Sequence, residues 1–214
     1  MVNLVREPIL PKELAQHGLK GMSSGESLEA VRVVNVAMTA VEATAVSMEG
    51  AIFEGVELSS CSFQKAVLLD VVWQDCLLFG SNFDGSGLVR VSVKRGMHSG
   101  MVMTDCSLED VAFVGSKLNL ANFRMSKLKR VEFRDCDLTG ADFQGAVLDR
   151  VRFDGCNLGG VEFSNCRMKH VDLSGSNIAA VKGVAALKSA TITSGQLISI
   201  AGALAAELGL IVKD

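Results

Sequence analysis

Aromatic side chains are scarce in this 214-residue chain: they make up 5% of it, tyrosine is absent and tryptophan occurs once. Proline occurs only twice. No apolar run approaches the ~18 residues that mark a membrane-spanning helix, so no membrane span is expected. The opening Met1-Val-Asn-Leu-Val-Arg-Glu-Pro8 lacks a basic stretch followed by an apolar core, so it does not read as a signal peptide. There is no Asn-x-Ser/Thr sequon and no Cys-x-x-Cys pair. Nor is there a surplus of base. Twenty-one Lys and Arg stand against 24 Asp and Glu, for a net charge of −3. That balance excludes a globally basic nucleic-acid binder and a strongly acidic tail protein. The six cysteines sit in a chain too long and too apolar to need a disulfide frame, and the expected compartment is the cytoplasm.

What is present is aliphatic and periodic. The chain is 49% hydrophobic with 21 glycines, too apolar for disorder. Its internal period is five. Every fifth residue from Leu28 to Ile178 is apolar except His98, and nine of the ten phenylalanines fall in this series. A second series two residues earlier, from Val31 to Ser176, holds only Val, Ala, Cys, Ser and Gly apart from Met101. It contains all six cysteines: Cys61, Cys76, Cys106, Cys136, Cys156 and Cys166. The position two after each large residue is rich in glycine, as at Gly55, Gly85, Gly115, Gly145 and Gly155.

A period of five fits neither a helix nor a plain strand. It fits a short extended stretch followed by a tight turn, with the large residue and the small one two before it on the same side. Four such units close a square coil of 20 residues, and coils stack at about 4.8 Å, so about eight of them make a rod of roughly 38 Å. Folding the sequence by twenty gives one inner column of Phe63, Phe83, Met103, Phe123, Phe143 and Phe163. A second column is Phe53, Trp73, Val93, Phe113, Phe133, Phe153 and Leu173, and the other two are leucine-rich. Such an interior is packed side chains, not a pore.

The repeat resembles that of the pentapeptide-repeat family, whose consensus is Ala-Asp/Asn-Leu-x-x. The matching residues are Ala121-Asn-Phe-Arg-Met, Ala141-Asp-Phe-Gln-Gly, Cys136-Asp-Leu-Thr-Gly and Cys156-Asn-Leu-Gly-Gly. The resemblance covers roughly residues 26 to 180 and implies an all-β solenoid, a right-handed quadrilateral β-helix with a C-terminal capping α-helix. The first half has many valines at the small position and few Asp or Asn before the large one, so it should be less regular. Three segments follow: 1–25, an N-terminal segment or cap; 26–180, the β-helix; and 181–214, a C-terminal cap and dimerisation helix.

An open solenoid end exposes core and strand edges and must be covered. At the C-terminus Ser194 reads as the N-cap and Gly209 as the residue that ends a helix. Between them Leu197, Ile198, Ala201, Leu204, Ala205 and Leu208 form a broad apolar stripe at helical spacing, and Leu210-Ile-Val212 follows. This ending resembles that of the quinolone-resistance pentapeptide proteins, where it caps the rod and joins two rods end to end. The expected dimer interface is Leu197, Ile198, Ala201, Leu204 and Leu208. At the other end, Pro11–His17 reads as a short helical turn.

Signals for catalysis are weak. Gly21-Met-Ser-Ser-Gly25 matches the nucleophile-elbow pattern, which requires a strand before it and a helix after it. The three histidines are scattered. His98 interrupts a leucine column and, with Gly96 and Met101, marks an irregularity at mid-rod: a local bulge that turns His98 outward, a buried imidazole with a backbone partner, or a functional irregularity. No catalytic, cofactor or metal site is expected. Charge is uneven, with nine acids and two bases in residues 26–88 against eleven acids and thirteen bases in 89–178. Several outward columns alternate in sign, such as Glu109, Lys129, Asp149 and Lys169. Outward apolar residues cluster in the middle coils: Ile52, Val67, Leu69, Val72, Leu77, Phe79, Val89 and Met97. They form a candidate partner patch. The leading expectation is a non-catalytic protein-binding rod that dimerises and does not bind nucleic acid directly. The alternative, implied by the resemblance, is a DNA mimic that binds DNA gyrase or topoisomerase and confers quinolone resistance.

Overall fold

The computed structural model describes residues 4–18 and 21–212; residues 1–3, 19–20 and 213–214 lie outside the description. The chain winds as a parallel β-solenoid in a 20-residue step from Ser27 to Arg152, with register shifts in the last coil, where Asp154 pairs with Gly175 and Val171 with Ala190. On one face Ser27, Ser47, Val67, Gly87, Ser107, Lys127, Val147 and Arg167 pair in sequence, one per coil. A second face steps from Arg32 to Ile52, Val72, Ser92, Ala112, Glu132, Arg152 and Asp172. The other two are held by single bridges, Glu57↔Leu77↔Met97↔Lys117↔Asp137↔Asn157 and Ser62↔Asn82↔Val102↔Asn122↔Asp142↔Glu162↔Lys182. These are the four sides of the square. Strands are short before residue 47, and from Ser47 five of the ten run eight residues, so the first coil is the least regular part of the first half by strand length.

Each corner from Ala30 to Ala180 except Gly175 is a residue in the left-handed region, two after a large inward side chain. Among non-glycine residues in that frame φ runs from +51° to +61°. At two corners of the square a turn closes, as where the Ala121 N–H donates to the Leu118 carbonyl (3.0 Å) and the Ala146 N–H to the Phe143 carbonyl (2.9 Å). At a third the strand runs on through the bend, as in Val67–Gln74 and Ser107–Val114, and at the fourth the strand ends before it, as at Asp75 and Gly115. Glycine at a corner avoids the Cβ penalty of this conformation, and at Gly55 a Cβ would also collide with the Asn35 side chain. Aspartate and asparagine tolerate it next best, and they fill many of the rest, among them Asn35, Asp75, Asp105, Asp135 and Asn165.

The fixed step stacks each large side chain on its own kind. Phe113, Phe133 and Phe153 lie nearly parallel with centroids 5.0 and 4.9 Å apart, and Phe123 stacks on Phe143 at 4.8 Å. The two aromatic columns meet edge to face at 5.9–6.3 Å, the arrangement favoured by ring quadrupoles. The small series also carries hydrogen bonds. Cys106, Cys136, Cys156 and Cys166 direct Sγ at the carbonyls of Phe83, Phe113, Phe133 and Phe143 in the coil before, at 2.8–3.4 Å, and the Ser86 hydroxyl reaches Phe63 in the same way. Serine and cysteine therefore satisfy turn carbonyls that valine and alanine leave to the backbone alone.

One coil breaks this order. Val93 separates the Phe53–Trp73 stack from Phe113, and Met103 separates Phe83 from Phe123. A cavity of about 20 Å³ remains there, lined by apolar side chains including Trp73, Phe83, Val93, Met103 and Phe113.

The N-terminal segment does not form the expected helical turn. Two prolines fix φ and remove N–H donors, and the segment instead runs extended across the coils along one corner column. Arg6 bonds Asp110 (Nε–Oδ2 2.7 Å), the Ile9 N–H donates to Asp70 (2.8 Å), and Ala15–Gln16 pairs with Val31–Arg32. At the other end Val184–Leu187 forms a 3₁₀ turn, and Ser194–Glu207 forms the helix α1. The α1 N-cap is Thr193 rather than Ser194. Its hydroxyl accepts from Gln196 N–H while the Gln196 side chain accepts from the Thr193 N–H, a capping box in which Gln outcompetes the cap read at Ser194. Gly209, with φ +71°, ends the helix as expected. Two groups of α1 complete the last coil: Gln196 Nε2 donates to the Leu173 and Ser176 carbonyls (both 2.7 Å), and Glu207 accepts from the Val184 and Ala185 N–H groups.

Phe133 is fully buried between two stacked partners and two edge-on ones. Phe133→Ala should cost roughly 3–5 kcal/mol in urea unfolding; a loss below about 1 kcal/mol would mean that the column is not packed as described.

Candidate functional site

The surface follows from the frame. In every five residues two point inward and three outward or along a corner, so a solenoid of this kind presents ladders of side chains rather than a cleft. Among the described residues no three His, Cys, Asp or Glu side chains come together in a way that could hold a metal ion. The Gly21–Gly25 stretch leads into the strand Ser27–Glu29, not a helix, so the elbow context is missing.

His98 is fully buried in its leucine column, and both ring nitrogens lack a hydrogen-bond partner. Gly96 makes the room: a Cβ there would strike the imidazole and the Cys76 carbonyl. Of the readings open at His98, the outward bulge is therefore ruled out, and the ring is buried but without the expected backbone partner. Desolvation pushes its pKa down from 6.5 to about 4, so the ring is neutral near pH 7.

Charged side chains pair mostly along columns. In the corner column crossed by the N-terminal segment, Arg90 forks onto Asp70 (2.6 and 2.6 Å) and Arg130 onto Asp110 (2.7 and 2.8 Å). Asp110 is completely buried. Burial alone would raise its pKa, but hydrogen bonds from Arg130 and Arg6 hold it well below the carboxylate range. The alternating columns pair only in part. Lys129 reaches Glu109 (3.1 Å) and Arg152 lies 3.9–4.0 Å from Glu132 and Asp172, whereas Asp149 turns to Arg150 (3.4 Å) and His170 (3.7 Å).

The candidate partner patch is spread over three sides of the square. Val67, Leu69 and Val89 share one face, Ile52 and Val72 the next, and Leu77, Phe79 and Met97 a third. Val67 (56%) and Met97 (37%) are the exposed members; the rest are half-buried. Two more prominent apolar side chains are absent from that set. Leu120 and Met125 are 67% and 60% exposed, both in left-handed corners that disfavour them, and they flank one face. Leu120 lies over Gly140 and Met125 over Gly145, so glycine in the next coil leaves them standing clear. The signal was present in the sequence as large apolar residues at a corner position otherwise held by glycine, alanine or polar residues.

On α1 the inward residues are Ile200, which is buried, and Leu204, which is half-buried against the core. Ile200 lies outside the stripe read from the sequence. Leu197 (49%), Ile198 (78%) and Leu208 (73%) remain exposed, as do Ala201 and the following Leu210, Ile211 and Val212. Among the described residues no helix is long and apolar enough to cross a membrane.

Comparison with known proteins agrees with this geometry. Residues 99–163 match the family described as the pentapeptide repeat region. A search of curated protein sequences returns no match. Among solved structures, the chain is similar to a trypsin-treated form of QnrB1, a plasmid-mediated fluoroquinolone resistance protein, at 18% identity. That alignment covers 94% of this chain and 100% of the other, with a TM-score of 0.53. It is also similar to HetL, a pentapeptide repeat protein involved in heterocyst differentiation regulation from the cyanobacterium Nostoc sp. strain PCC 7120, at 17% identity over 80% and 91% of the two chains and a TM-score of 0.42. At 18% identity the likeness to the trypsin-treated QnrB1 form shows the fold alone.

Two predictions follow from the buried groups. The unfolded chain protonates His98 before the folded one does, so this residue's contribution to stability is intact above about pH 6.5. It falls as pH drops from there to about 4, by about 3 kcal/mol in all. His98→Leu should flatten that part of the pH dependence in urea unfolding; an unchanged profile would place the imidazole in water. The six thiols are buried, and burial pushes Cys106 and Cys166 up to about 12. They should resist a thiol reagent until denaturant is added, and rapid modification of the native protein would contradict the inward column.

Proposed function

Residues 99–163 are a pentapeptide repeat region within a pentapeptide-repeat β-helix, and from that premise we propose that the protein is a non-catalytic rod that binds other proteins and pairs with a second copy of itself through α1. The observation that carries this reading is the apolar surface left over at the C-terminal end. Gln196, Ile200, Leu204 and Glu207 already close the last coil. Leu197, Ile198, Ala201 and Leu208, with Leu210-Ile-Val212 beyond, add nothing to that closure and stay in water. A two-fold axis beside α1 would cover them with their own copies. Leu204 belongs to the rod side of the helix, so it contributes less to the pairing than its neighbours. The exposed Leu120 and Met125, and Val67 and Met97 lower on the rod, supply further apolar anchors for a different partner.

The second reading, a DNA mimic directed at DNA gyrase, draws on the acid surplus of residues 26–88. It requires a negative stripe along the rod, and the later coils oppose it with exposed cations. Measuring gyrase supercoiling with and without the protein separates the two: protection or inhibition at stoichiometric protein would favour mimicry.

The dimer is tested by sedimentation at micromolar concentration. The wild type should run at twice the chain mass of 22.7 kDa, and Ile198→Glu should give a folded monomer. A wild-type monomer would end the α1 pairing.

A further inference from the structure

We propose that the face carrying Lys127, Lys129, Arg167 and Lys169 is a docking surface for an extended acidic segment of a partner protein, one with carboxylates on either side of an apolar residue. The proposal rests on the protein-binding reading and names the chemistry of one partner.

The chain as a whole is acidic, but its charge is not evenly placed. On this face, in the coils from residue 127 onward, Lys127, Lys129, Arg150, Arg167, Lys169 and Lys188 are all exposed. The carboxylates beside them are already engaged: Glu109 by Lys129 and Arg130, Asp110 by Arg130 and Arg6, Asp149 by Arg150. Among the described residues Lys127, Arg167, Lys169 and Lys188 form no ion pair within 4 Å, whereas Arg32, Arg90, Arg95 and Arg124 elsewhere on the rod each pair with a carboxylate. Such a concentration of unpaired charge on a rigid sheet is unfavourable unless an anion covers it.

The register gives the pattern. Lys127 pairs with Val147 and Val147 with Arg167, while Lys129 pairs with Asp149 and Asp149 with Lys169. Two cation pairs thus sit two rungs apart, about 10 Å, with half-buried Val147 between them. One rung further, Arg167 and Lys188 border an open hollow of about 270 Å³ that Met168 and Ser189 also line. An extended peptide presents alternate side chains on one face about 7 Å apart, so residues i, i+2 and i+4 span about 14 Å. An acid at i then meets Lys127 and Lys129, an apolar residue at i+2, about 7 Å on, lies beyond Val147 toward the stem of Arg167, and an acid at i+4, about 14 Å on, reaches past Arg167 and Lys169 to Lys188 and the hollow.

Nucleic acid fits less well. The outward residues of this face include no aromatic side chain on which a base could stack. A phosphate chain running along the rod would also cross the rung of Val147 and Asp149, where the one cation, Arg150, is drawn to Asp149 at 3.4 Å.

The test is fluorescence anisotropy with a labelled peptide bearing Glu-x-Leu-x-Glu, beside a composition-matched peptide with Glu and Leu exchanged and a single-stranded oligonucleotide of at least equal charge. The patterned peptide should bind most tightly and weaken with salt. Lys127→Glu with Lys169→Glu should lower its affinity at least about tenfold, about 1.4 kcal/mol or more. Lys117→Glu with Lys182→Glu changes net charge equally on two other faces and should leave binding within about twofold of wild type. The proposal is overturned if the oligonucleotide binds more tightly than the peptide, if both double variants lose affinity alike, or if no saturable peptide binding appears at low salt. If peptide binding fails while a partner found by cross-linking still associates with the Lys127/Lys169 variant, the docking face is wrong and the protein-binding rod stands.

Discussion

Everything in this molecule depends on one geometric constraint: a chain that returns to the same corner every 20 residues must place each inward side chain on top of its counterpart, one strand spacing away. Stacking at that distance suits flat rings and branched aliphatics and suits little else. Phe113, Phe133 and Phe153 satisfy it as parallel rings, and the leucine columns as interlocked chains. The same constraint sets the corners. The bend between faces requires a left-handed residue, so glycine, aspartate and asparagine recur there, and the backbone bonds that close one coil are completed by the next.

A rule so uniform makes departures conspicuous. The coil with Val93, His98 and Met103 interrupts three columns at once and compensates only in part. Met101 adds volume at a small position, Gly96 surrenders volume to the imidazole, and a small cavity remains. This coil separates two well-stacked cores, so local opening of the rod should begin there rather than in the phenylalanine stack. Leu120 and Met125 depart in another way. They bear the strain of a left-handed corner and gain no burial, which sets them apart from side chains retained for packing.

The two ends solve one problem by different means. A solenoid cannot close on itself, so its terminal carbonyls, N–H groups and core need covers from outside the repeat. At the C-terminus α1 supplies Gln196, Ile200 and Glu207, one side chain per turn on one side of the helix. Near the N-terminus the extended segment runs along a corner and fastens through Arg6 to a buried aspartate several coils away. That tie links the first coils to the middle of the rod through a charge-assisted bond from a largely exposed Arg6 to a fully buried carboxylate.

By itself the sequence determined the period, the 20-residue coil, the inward columns and the presence of a capping helix, because each is a matter of spacing along the chain and spacing survives without coordinates. It also flagged His98, since a polar residue in an apolar column is visible as a break. Only the tertiary structure decided where the non-repeating parts go. Pro8 and Pro11 excluded a ladder strand without saying that the segment would cross the coils, and the stripe on α1 did not reveal that Ile200 is the inward residue, because a short helix offers several apolar faces and the coil it covers chooses among them. The surface was legible in columns but not in partners. Lys129 and Asp149 alternate in sequence as a pair should, yet Asp149 is taken by Arg150, a corner residue whose reach depends on the bend of the backbone. Which cations remain uncovered is therefore a property of the folded face.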